Sequence, residues 1–125
     1  MMQRAAGVIR VGGPVTPLEL PWPRELRDDE VLIDVRAAGV GDWDEIMRVG
    51  RWPSGLRPPH ALGVEATGVV RAVSGPDLES WLDRPVLTYT YPFRDGAAWA
   101  EHLIAPAGWV VEKPASPAEW QPVER

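Results

Sequence analysis

The chain has 125 residues, 45% of them apolar and 25% charged, which bounds it to one ordinary globular domain and argues against disorder along its length. Thirteen Lys and Arg against eighteen Asp and Glu leave a net charge of −5 with no basic run, so no nucleic-acid partner is expected. Cys is absent, which excludes disulfides, thiolate metal sites and cysteine nucleophiles. No stretch has the apolar length of a membrane helix or a signal peptide, so a cytoplasmic chain with no membrane partner is expected.

Twelve Gly and fourteen Pro predict many short elements joined by turns. In chain order, period-2 apolar patterns predict strands over Ala5–Val11 and around Leu18-Glu19-Leu20. The clearest strand is Val31–Ala37, with Val31, Ile33, Val35 and Ala37 on one face and Asp34 and Arg36 on the other. A helix over Trp43–Val49 follows, with Asp42 in the N-cap place, Glu45 three residues later and Gly50 as its stop. Its apolar face is Trp43, Ile46 and Met47, and Asp44 can pair with Arg48. Further strands are expected over Val64–Val73, Pro85–Tyr91, Trp99–Ile104 and Trp109–Val111. These elements predict a mostly β domain, a barrel or sandwich with minor helical decoration, over residues 1–114. Residues 115–125 read as a loosely held tail. Seven Trp against one Phe suit a pocket or an interface, although most are expected in the core.

Gly39-Val40-Gly41-Asp42-Trp43-Asp44 sits where a dinucleotide fingerprint would, but the third glycine is Asp44 and strands follow instead of a βαβ unit. It reads as a strand-to-helix turn, and no cofactor is assigned to it. A metal is not expected either, since His60 and His102 are the only histidines and have no close spacing. A nucleophilic Ser is weakly supported, since no G-x-S-x-G elbow occurs. What remains is carboxylates among aromatic rings. Asp42, Asp44, Glu65 and His60 are the candidate acid–base groups, and Gly41, Trp43, Trp52, Tyr89 and Tyr91 the candidate substrate wall. Glu65 reads equally as a solvent-facing strand residue paired with Arg48 or Arg71.

The ordered set Glu30–Val40, Trp43-Asp44, Arg48–Pro53, Leu62-Gly63-Val64-Glu65-Ala66-Thr67-Gly68, Ala100-Glu101-His102 and Val111-Glu112-Lys113-Pro114 resembles the N-terminal half of medium-chain dehydrogenases/reductases. The resemblance covers roughly residues 4–114. It implies a GroES-like fold, a partly open β-barrel with one or two short helices. It also implies the zinc-free quinone oxidoreductase branch, because zinc enzymes carry Cys at Gly41 and Gly-His-Glu at Gly63-Val64-Glu65. In the quinone oxidoreductase branch an Asn commonly stands at Gly41 and shapes the cleft at the nicotinamide. The family's Rossmann half would follow Pro114, whereas residues 115–125 diverge and carry Pro117 and Pro122, which favours a naturally short protein.

Three functions are compatible with these features. One is cofactor-free acid–base chemistry on a small organic molecule, of isomerase, cyclase or lyase type. Another is the catalytic half of an NADPH-dependent oxidoreductase that needs a separate Rossmann chain. The third is a non-catalytic binding module. Carboxylates beside Trp43, Trp52 and the Tyr89/Tyr91 pair favour the first. A homodimer is expected to cover the flank that the Rossmann half would cover, with Trp22, Trp52 or Trp120 on it.

Overall fold

The structure, a computed structural model, describes residues 1–114. The expected tail and Trp120 lie outside the described residues. Among the described residues, eight strands form two antiparallel sheets, accompanied by one α-helix. The first joins β1 (Met2–Val8), β2 (Thr16–Pro21) and β4 (His60–Ala61) in the order β2-β1-β4. The second joins β3 (Glu30–Ala38), β5 (Glu65–Val73), β6 (Pro85–Tyr89), β7 (His102–Pro106) and β8 (Val110–Glu112) in the order β7-β3-β5-β6-β8. Helix α1 (Asp42–Arg48) follows β3, and short 3-10 helices occupy Pro76–Trp81 and Ala107–Trp109. A bridge between Ala5 and Ala100 ties the first sheet to the segment entering β7. Strands β7 and β8 end the second sheet without meeting, so this is the partly open barrel that the residue pattern implied.

The strands exist where the alternation is strong and shift where tertiary pairing decides. β1 begins at Met2 rather than Ala5, because its ladder with β2 starts at Met2 opposite Pro21; Ile9 and Val11 are left exposed. β7 begins at His102 rather than Trp99. Trp99 instead donates its backbone N–H to Leu62 (2.8 Å) and accepts one from Ala6 (2.8 Å), stitching the sheets together. In β3, Val31 and Ile33 are buried as expected. A bulge between Val35 and Ala37 then reverses the parity, so Ala38 packs inward while Ala37 is exposed.

The core is aliphatic. Val8, Leu62, Met47 and Phe93 pack between the first sheet and the helix, and Val31, Ile33, Val70 and Val86 fill the second sheet. None of the six described tryptophans is fully buried, which corrects the expectation that most belong to the core. Trp81 and Trp99 pack on its margins, whereas Trp43 and Trp52 are exposed.

Candidate functional site

The site grows from the turn between β3 and α1. Gly41, not Asp42, is the N-cap. Lacking a side chain, Gly41 caps nothing itself; Asp44 at the third helical position reaches back, and its Oδ2 accepts the Gly41 N–H at 2.8 Å. Asp44 is thereby buried, with its other oxygen unpartnered, and cannot pair with Arg48. Glu45 takes that pair on the solvent side, at 2.6 and 2.7 Å. The helix stops as the sequence implies. Gly50 adopts φ +75°, and the N–H groups of Gly50 and Arg51 bond the carbonyls of Met47 and Ile46.

Against this turn stands one face of the second sheet. Glu65 opens β5 opposite Tyr89, the last residue of β6; Thr67 lies opposite Leu87, which in turn pairs with Val111 of β8. Because side chains two apart share a face, these five line a common surface. Trp109 closes one end, its carbonyl accepting the Thr88 hydroxyl at 3.0 Å. The result is a cleft of about 450 Å³ that adjoins a smaller one of about 190 Å³; Gly39, Glu65 and Tyr89 line both. Gly39 lies so close that a Cβ there would displace the Glu65 side chain from its present position.

The structure brings Gly41, Trp43, Asp44, Glu65 and Tyr89 together around the smaller lobe. Trp52 meets Trp43 edge-on at 5.8 Å, and Tyr91 lies 6.4 Å from Tyr89 with its hydroxyl donated to the Pro53 carbonyl at 3.1 Å. Asp42 is exposed on the first helical turn and His60 lines a different cavity, so neither joins the cleft. Glu65 pairs with neither expected arginine: Arg48 is taken by Glu45 and Arg71 by Asp34. Among the described residues, the cleft therefore offers Glu65 as its one uncommitted carboxylate. Thr67, Leu87 and Val111 are additions from the structure, although the first two stand at the period-2 positions of Glu65 and Tyr89. Trp109 has no local signal; a turn carries it in.

The first turn of α1 holds Asp42, Asp44 and Glu45, and Asp44 already occupies the Gly41 N–H. A diphosphate there would meet three carboxylates, so these residues do not fit the phosphate end of a dinucleotide. Among the described residues no three His, Asp or Glu side chains gather as a metal ion requires, and no helix is long and apolar enough to cross a membrane.

The alcohol dehydrogenase GroES-like domain family matches residues 27–115. Erythronolide synthase EryA2 of Saccharopolyspora erythraea is 36% identical over 100 residues, covering 77% of this chain and 3% of its own length. Alcohol dehydrogenase 1 of Emericella nidulans is 34% identical over 71 residues, 57% of this chain and 20% of that one. The chain thus spans a small part of the curated relatives it matches. In structure, it resembles the quinone oxidoreductase from Thermus thermophilus with a TM-score of 0.69 and 30% identity, over 93% of this chain and 35% of that one. The human synaptic vesicle membrane protein VAT-1 homolog-like protein is similar at a TM-score of 0.73 and 27% identity, over 91% and 36%. With its strand order and most of its length accounted for in this way, the chain belongs to the alcohol dehydrogenase GroES-like domain family of the medium-chain dehydrogenase/reductase superfamily.

Proposed function

We propose that this domain supplies the substrate wall of a zinc-independent oxidoreductase for small, flat carbonyl compounds of quinone type, with the nicotinamide cofactor held by a second body. The observation that carries this reading is the open apolar cleft, whose rings (Trp43, Tyr89, Trp109) offer flat surfaces and whose polar groups are few. Hydride transfer is favoured in a site closed to water, where electrostatic interactions with the carbonyl are stronger, and a cleft this open needs another surface to close it. The acidic first turn of α1 supports placing the cofactor's phosphates elsewhere. The likeness to a quinone oxidoreductase solved with NADPH supports the substrate class. Absence of Cys and the position of both histidines in another cavity support zinc independence.

A second reading is acid–base chemistry without cofactor. It now rests on Glu65 alone, since Asp44 caps the helix and Asp42 and His60 stand outside the cleft. Calorimetric titration separates the two. Saturable binding of 1,4-naphthoquinone, weakened by Tyr89→Ala, together with no heat from NADPH, is the expected result. Tight NADPH binding to this chain alone, or no quinone binding, overturns the first reading. Turnover of an enone without cofactor, lost in Glu65→Gln, would establish the second.

A further inference from the structure

On a different face, a cavity of about 300 Å³ lies among β1, β2, β4 and β7 and shares no lining residue with the cleft. Its walls are stiff and largely flat: Trp22, Leu103 and the prolines Pro21, Pro23 and Pro59. Its polar groups are better prepared than a filler void needs. His102 Nδ1 lies 2.7 Å from Asp34 Oδ1, and the ring rests against Trp22 at a centroid distance of 4.2 Å. A carboxylate only accepts, so Nδ1 carries the proton of this bond, and in that tautomer the accepting lone pair of the ring is on Nε2. His60 repeats the pattern. Its Nδ1 donates to the Ala61 carbonyl at 2.6 Å, and its Nε2 is sealed from solvent without a partner. Arg24 supplies the converse, an Nε–H that is likewise sealed and unpartnered.

Charge narrows the ligand. The Arg24 guanidinium is already shared by two carboxylates, Glu30 at 2.8 and 2.9 Å and Asp95 at 2.7 Å, so the wall has no spare positive charge to draw an anion. The His60 and Arg24 nitrogens are sealed off from a ligand, so what the wall can still take is a donor to His102 Nε2, and a hydroxyl supplies one without bringing charge. We infer that this cavity is a second ligand site, which takes a small, neutral, hydroxylated ring compound with its hydroxyl donated to His102 Nε2. Asp34 acts as a positioning residue by fixing the tautomer of His102.

The test is an NMR titration of the full chain with phenol, reading the ring nitrogens of His60 and His102 and the side-chain signals of Tyr89. Saturable shifts at both histidines in the millimolar range or below, with Tyr89 unmoved, are expected. His102→Phe keeps a ring against Trp22 but removes the acceptor, and should weaken binding about tenfold, the scale of one hydrogen bond. Gly96→Val narrows the cavity at a position where a Cβ meets only Leu103 Cδ1 at 3.9 Å, and should abolish binding while the fold is retained. Shifts that do not saturate, shifts centred on Tyr89, or equal affinity in His102→Phe would each overturn the proposal.

Discussion

Asp44 and Glu65 are both carboxylates beside the same cleft, yet the backbone has consumed one and left the other. Asp44 satisfies the N–H of a glycine cap that has no side chain to do so, and it adds negative charge at the positive end of α1. Its second oxygen is buried without a partner, which offsets part of that gain. Asp44→Ala is therefore expected to cost about 1 kcal/mol. For a domain of this size that lowers the thermal midpoint by about 3–6 °C, readable by circular dichroism. An unchanged melt would mean the cap contributes nothing. Glu65→Gln should behave in the opposite way. The side chain is exposed and bonds no cation, so the melt stays where it is. If cofactor-free turnover exists, it should fall by about 10²–10⁴-fold. A lowered melt with intact turnover would make Glu65 a structural residue.

Between elements, the firmest tie is one the residue pattern did not announce. Glu30, at the start of β3 and nearly buried, receives both Arg24 guanidinium nitrogens and the Arg27 N–H at 2.6 Å, which pins the β2–β3 loop to the sheet. The Arg24 pair, helped by the Arg27 bond, holds the carboxyl at about 2 against an ordinary 4.5, and Arg24 is raised in turn. A depressed carboxylate contributes its stability above the unfolded value and loses it as pH falls through the folded one. Stability should therefore decline between pH 4.5 and 2, by at most about 3 kcal/mol. Urea unfolding across that range reads it. Glu30→Gln should be less stable at neutral pH and show a flatter acid limb; an identical acid limb in both proteins would assign the acid sensitivity elsewhere.

The same scale explains what could be read from residues alone. β3, β5 and α1 are legible because alternation and a glycine stop are local signals. β4 is not, since two residues carry no period, and the Val35/Ala37 bulge is invisible without its partner strand. Glu65, Tyr89 and Trp43 are legible by their chemistry. Their neighbours Leu87 and Val111 are not, because an apolar strand residue reads as core until the sheet shows which face is open.

At the scale of the whole molecule, the cleft mouth is apolar and bare. Val40 is 81% exposed, Trp43 53%, Trp52 46%, Tyr89 51% and Val111 57%. Trp43 and Tyr89 line one lobe and Tyr89 and Val111 the other; Trp52 meets Trp43 edge-on, and Val40 lies in the chain between the lining residues Gly39 and Gly41. Burying one such side chain returns about 1.5–3 kcal/mol, so a rim of this kind favours association. The face that the proposed function leaves open to a second body is equally available to another copy of the chain, and a twofold axis would let each rim cover the other. Sedimentation velocity from micromolar to submillimolar concentration is expected to show a monomer–dimer equilibrium, with Trp43 and Trp52 shielded from acrylamide as dimer forms. Trp43→Glu places a charge in the centre of that contact and should hold the protein monomeric while leaving its melt unchanged, since Trp43 contributes nothing to the core. A wild-type protein that stays monomeric at every concentration, or a Trp43→Glu variant that dimerises as well as the parent, would remove this rim as a self-association surface.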